Sequence, residues 1–152
     1  MSKTKSLVFI EDNRDHAEII SFYIKDCYPN YEITLITDGE EAMIYFDEVI
    51  SNKDKSLPDL VFLDIKLPKF SGLDILNKIK SDEILRLLPV IIFTTSIYHK
   101  DIEDALAAHA NSYIVKPDMP DAFGPLVDKV ISYWTSSQHS MLIDRINAER
   151  TN

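Results

Sequence analysis

The sequence predicts a doubly wound α/β domain, a three-layer sandwich with five parallel strands in the order 2-1-3-4-5. Three observations carry that prediction. Short, β-branched apolar runs alternate along the chain with stretches whose apolar residues recur at helical spacing. Parallel neighbours need long crossovers, and the intervening helices supply them. The 152 residues suffice for one domain with a proper core and no covalent staples.

The elements follow in order. Leu7–Ile10 is short and apolar on both faces, as a buried strand requires. Ala17, Ile20, Ile24 and Cys27 then fall at helical spacing, and the helix must stop before Pro29. Tyr31–Ile36 alternates as a second strand. Asp38 reads as an N-cap with Glu41 three residues on, opening a helix striped by Ala42, Phe46, Val49 and Ile50. A polar loop leads to the third strand, Leu60–Leu63, and Leu73, Leu76 and Ile79 mark the third helix. Val90–Phe93 is the fourth strand; Ile102, Ala105, Leu106 and His109 suggest the fourth helix. Ser112–Val115 is the fifth strand, and Phe123, Leu126, Val127, Val130 and Trp134 give the helix after it. Residues 1–135 therefore form the main domain and 136–152 a tail. In the tail Leu142, Ile143 and Ile146 allow a short amphipathic helix, too short to stand alone.

Composition narrows the function. The net charge of −9 argues against direct binding to nucleic acid, whose affinity rests on Lys and Arg. No apolar run is long enough to span a bilayer, and the N-terminal stretch lacks a signal-peptide core, so the protein is expected in the cytoplasm. The single cysteine, Cys27, excludes an internal disulfide and is expected as a small buried side chain.

In a doubly wound sheet, ligands bind beyond the C-terminal strand ends, where the strand order reverses. The residues found there are Glu11 and Asp12 after the first strand, Asp64 after the third, Thr94 and Thr95 after the fourth, and Lys116-Pro117 after the fifth. One Asp after a strand is usually a turn residue or helix cap. Three carboxylates on one edge repel each other, however, and a cation with a preference for oxygen relieves that repulsion. Without His or Cys among them, the set points to Mg²⁺. A carboxylate can accept a phosphoryl group as a nucleophile, and Asp64, ending the central strand, is the candidate. Thr94 and Lys116 would steady the transferring oxygens.

These residues resemble the receiver domains of response regulators, of the chemotaxis-regulator type. The likeness covers roughly residues 5 to 134 and rests on Glu11-Asp12, Leu63-Asp64-Ile65 with Pro68 and Gly72, Thr94, Tyr113 and Lys116-Pro117. It implies a flavodoxin-like fold and a signalling switch rather than an enzyme, in which a sensor histidine kinase phosphorylates Asp64. It implies Mg²⁺ held by Glu11, Asp12, Asp64 and the backbone carbonyl of Lys66. Thr94 and Tyr113 become the switch pair, Lys116 the phosphoryl-stabilising lysine, and Pro117 the site of a cis peptide bond. Lys66 and Ser96 lie where this family tunes dephosphorylation, and a charged Lys66 cannot serve as a base, so a long-lived phosphoryl group is expected. The sequence departs from the family in having His109-Ala110 where Gly-Ala is common and Asp118 after Pro117. The loop from Ile50 to Asp59 and Thr94-Thr95-Ser96 also resemble the stand-alone regulators paired with phytochrome histidine kinases. That likeness implies a light-sensing kinase and a homodimer.

Rival chemistries fit less well. A phosphatase of the Asp-x-Asp kind would place its second Asp at Lys66. A flavin or small-ligand module would want a Gly- or Ser/Thr-rich loop where Glu11-Asp-Asn-Arg-Asp15 stands. An inactive scaffold would have lost Asp12, Asp64 or Lys116. The residues after Trp134 are too few for a helix-turn-helix domain, so output is expected to run through protein contacts.

Overall fold

The computed structural model describes residues 4–151. Its strands are β1 (Ser6–Ile10), β2 (Glu32–Ile36), β3 (Leu60–Leu63), β4 (Val90–Thr94) and β5 (Ser112–Val115). Its helices are α1 (Arg14–Cys27), α2 (Gly39–Ser51), α3 (Gly72–Ser81), α4 (His99–Ala107), α5 (Phe123–Thr135) and α6 (Gln138–Arg150). The strands pair in parallel in the order β2-β1-β3-β4-β5, as the sequence predicts. Phe9 lies beside Phe62, and Phe62 beside Ile91, so the C-terminal ends of β1, β3 and β4 come out together.

Because strand side chains alternate in direction, the sheet divides the core in two. Val8, Ile10, Val61, Leu63 and Ile92 face α2, α3 and α4, with Phe46, Leu76, Ile79 and Ala105 packed on them. Leu7, Phe9, Leu60, Phe62, Ile91 and Phe93 face α1 and α5, against Ile20, Ile24, Phe123, Val127 and Ile131. The central strands β3 and β4 are buried throughout, which is why they read as unbroken apolar runs.

Several local expectations need correction. Cys27 is exposed, not buried: it ends α1, and Tyr28 just beyond it packs on the core instead. Leu106 is also exposed, and only Ala105 of α4 is fully buried. His109 lies past α4, with φ at 70°. Its N–H donates to Leu106 O at 3.0 Å, and that of Ala110 donates to Ala105 O at 3.0 Å, the paired bonds of a Schellman helix end. The cis bond expected before Pro117 is absent; Lys116–Pro117 is trans, as is every peptide among the described residues. The trans form is the intrinsically favoured one. Lys116 reaches the site without the cis bond, its N–H held by Thr94 O at 2.7 Å.

The tail forms a full helix, longer than the turn or two that its apolar residues suggest. Ile143 joins the core beneath α2, and the Asn147 side chain grips the Leu57 backbone from both sides, accepting from its N–H at 2.7 Å and donating to its carbonyl at 3.1 Å. Lys5 donates to Ser140 Oγ at 2.5 Å and Asp144 Oδ2 at 3.0 Å. The Arg150 guanidinium donates to the carbonyls of Val49, Asn52 and Lys55, closing the C-terminal end of α2. Among the described residues, no helix is long and apolar enough to cross a membrane.

Candidate functional site

Backbone hydrogen bonds between neighbouring strands fix the site at their C-terminal ends. Glu11 N–H donates to Ile36 O at 2.9 Å and Asp64 N–H to Ile10 O at 3.0 Å, which carries the ladder one residue past each strand. The α3 helix starts against the back of the acceptor loop. A Cβ on Gly72 would lie 2.1 Å from Asp64 O, so the close approach requires glycine there.

The predicted residues converge. Glu11, Asp64, Thr94 and Lys116 are all buried, and Asp12 is exposed at the rim. Lys116 Nζ donates to Glu11 Oε1 at 2.6 Å and to Asp64 Oδ2 at 3.0 Å. Carboxylate oxygens of Glu11, Asp12 and Asp64 lie within 4.8 Å of one another. The Lys66 N–H points back to Asp64 Oδ1 at 3.3 Å, while its ammonium lies over the Tyr98 ring. Ser96 is buried, and its hydroxyl donates to Asp101. Tyr113 is half-buried in β5, and its hydroxyl donates to Ser96 O at 2.9 Å.

One member was missed by sequence reasoning. His16, in the first turn of α1, places Nδ1 3.1 Å from Glu11 Oε1 and 3.4 Å from Lys116 Nζ. A signal was present: a polar residue one turn into the helix that follows Glu11-Asp12 faces back over the strand end. Burial and the Lys116 ammonium hold its imidazole below the usual histidine value.

The electrostatics show more negative than positive charge at the site. Burial, and then the neighbouring Asp64, push the Glu11 carboxyl up to about 8, against the pull of Lys116. Burial also works to raise Asp64, yet hydrogen bonding with Glu11, the Lys116 charge and the Thr94 hydroxyl hold it below the ordinary carboxylate value. One lysine thus serves two buried carboxylates with a third at the rim. This all-oxygen set, short of positive charge, suits a hard divalent cation.

The response regulator receiver domain family matches residues 7–125. The chain belongs to that family. It is a receiver domain of two-component signalling, and such domains are typically signalling switches; the family is not an enzyme family. The receiver is 34% identical over 128 residues to the "Probable methanogenesis regulatory protein FilR2" of Methanothrix harundinacea, covering 84% of this chain and 82% of that protein. It is 28% identical to the response regulator Rcp1 of Synechocystis, covering 86% of this chain and 88% of Rcp1. Among solved structures, the receiver resembles the phosphorylated cyanobacterial phytochrome response regulator RcpA at 32% identity and a TM-score of 0.81, over 88% of this chain and 96% of that one. The Mn²⁺-bound form of Rcp1 matches over the same shares at 26% identity and a TM-score of 0.78. These likenesses agree with the flavodoxin-like receiver fold seen here.

Proposed function

We propose that this receiver accepts a phosphoryl group on Asp64 from a sensor histidine kinase, in a reaction that requires Mg²⁺. The observation that carries the reading is the buried, ionised Asp64 carboxylate, paired with Lys116 at 3.0 Å and within reach of Glu11 and Asp12. An Asp64 oxygen attacks phosphorus; the bond from phosphorus to the donor breaks, and its electron pair leaves with the donor. Glu11, Asp12, Asp64 and the carbonyl of Lys66 would hold the cation. When bound, Mg²⁺ supplies charge neutralisation for the transferring oxygens. Lys116 stays within hydrogen-bonding range of the acceptor and stabilises one phosphoryl oxygen, and the Thr94 hydroxyl takes another.

Switching then follows from local packing. Drawing Thr94 toward a phosphoryl group changes the room beside Tyr113, whose hydroxyl already holds the loop between β4 and α4 through Ser96. The surface of α4, β5 and α5 changes with it and is read by a partner protein. Lys66 and Ser96, two residues beyond Asp64 and Thr94 respectively, set the lifetime of the phosphoryl group. The Lys66 ammonium cannot take a proton from attacking water, so decay is slow. The likeness to the cyanobacterial phytochrome response regulator RcpA supports a phytochrome-type kinase as donor. A homodimer as the working form and the cytoplasm as the compartment complete the proposal, on the resemblance to stand-alone phytochrome-paired regulators and on the role in two-component signalling.

Incubation with acetyl phosphate and Mg²⁺, followed by intact mass measurement, tests the central claim. Wild type gains one phosphoryl group, and Asp64→Asn does not. A gain without Mg²⁺, or an equal gain in the variant, overturns it. After donor removal the added mass persists for minutes or longer; loss within seconds contradicts the role given to Lys66.

A further inference from the structure

His16 has no part in the chemistry above, yet its ring is held firmly against the site. The backbone N–H of His16 donates to the Asn13 side chain, which caps α1, at 3.1 Å. The imidazole meets Phe123, the first residue of α5, edge to face, with ring centroids 4.9 Å apart and planes at 85°. Phe123 is fully buried, so the ring is seated against fixed packing. From there Nδ1 reaches Glu11 Oε1, the same oxygen that accepts from Lys116.

We infer that His16 is a positioning residue of the cation site. It fixes Glu11 Oε1 beside Lys116 and thereby leaves the other carboxylate oxygen of Glu11 for the cluster with Asp12 and Asp64. The inference rests on the reading of those three carboxylates as the cation site. Once Glu11 is ionised, as cation binding requires, Oε1 offers only lone pairs. Nδ1 must then carry the hydrogen and donate it, and its 3.4 Å approach to Lys116 Nζ is a packing contact between two donors. The arrangement is that of an outer-shell partner orienting a ligating carboxylate, a role whose loss typically costs about 10- to 100-fold in metal affinity.

Titration of the full chain with Mn²⁺, following the free ion by electron paramagnetic resonance, tests this without any phosphorylation assay. His16→Ala is expected to bind Mn²⁺ at least about tenfold more weakly than wild type. His16→Asn, whose amide nitrogen can stand where Nδ1 stands, is expected within about threefold of wild type. His16→Gln carries its amide one bond further out and is expected to bind as weakly as the alanine variant. A merely structural role for the ring does not produce that order, because asparagine and glutamine lose the aromatic contact alike. Equal affinities for wild type and His16→Ala, or for the Asn and Gln variants, overturn the inference. An Asp12→Asn control separates the two claims. Mn²⁺ binding unaffected by that change overturns the cation-site reading and this inference together. Binding that is lost in Asp12→Asn but untouched by His16→Ala overturns this inference alone.

Discussion

At φ 70°, His109 occupies the left-handed region, where the Cβ of an L-residue crowds the next carbonyl at a cost of about 1–2 kcal/mol. The Schellman bonds that end α4 hold it there, and glycine meets the same geometry without the crowding. His109→Gly is therefore expected to stabilise the protein by about 0.5–1 kcal/mol, since glycine also gives back some unfolded-state entropy. Urea denaturation checks the sign, and a loss of stability shows that the imidazole makes a contact worth more than the strain. The family resemblance, with Gly-Ala common where His109-Ala110 stands, hinted at this position, but a helix-end histidine and a left-handed histidine look alike in sequence. The strand-end residues were legible for the opposite reason. Glu11, Asp64, Thr94 and Lys116 each follow a short apolar run, so strand order alone gathers them. His16 was legible only in part: its place in the helix after Glu11-Asp12 was a signal, but its contact with Glu11 depends on the angle at which α1 leaves the loop. Pro117 shows the limit of resemblance: the residue type matches the family, and the peptide geometry in this chain does not.

The helices on the sheet faces could be read from periodicity, and α6 largely could not. Its buried face combines one aliphatic residue, Ile143, with Ser140 and Asn147. Polar residues of this kind are buried only where hydrogen bonds await them, and those partners, Lys5 and Leu57, are far away in sequence. The helix is thus held by tertiary contacts that no local pattern announces. Asn147 is its principal anchor. Asn147→Ala leaves the buried Leu57 N–H and carbonyl without their partner, at a cost of about 2–3 kcal/mol. Chemical denaturation should show that loss in a single transition shared by the whole chain. A loss below about 0.5 kcal/mol, or a separate early transition for α6, shows that the grip on Leu57 contributes little to the fold.

Across the whole molecule, the two ends of the sheet differ in character. The N-terminal edge is closed by α6, with Lys5 and Arg150 satisfying acceptors there. The C-terminal edge gathers carboxylates, in a chain that already carries a net charge of −9. Stability at that edge must therefore depend on pH. The Glu11 carboxyl, at about 8 in the folded state against an ordinary 4.5, prefers its proton when folded. Its contribution is fully present below about pH 4.5 and is lost as pH rises toward and through 8. Asp64 is lowered, so it is ionised in both the folded and unfolded states throughout the neutral range and adds nothing to the change there. Each unit of separation is worth about 1.4 kcal/mol. With the pull of Lys116 already contained in that separation, the cation-free protein should lose on the order of 2–3 kcal/mol between pH 6 and 9. Glu11→Gln, which cannot ionise, should flatten that decline. Mg²⁺ should flatten it too, because a cation favours the ionised carboxylate and binds more tightly as the proton leaves. Urea denaturation across this pH range, with and without Mg²⁺, decides the matter. A wild-type profile as flat as that of Glu11→Gln means that Lys116 alone balances the buried carboxylates, and the site then has no electrostatic need for a second cation.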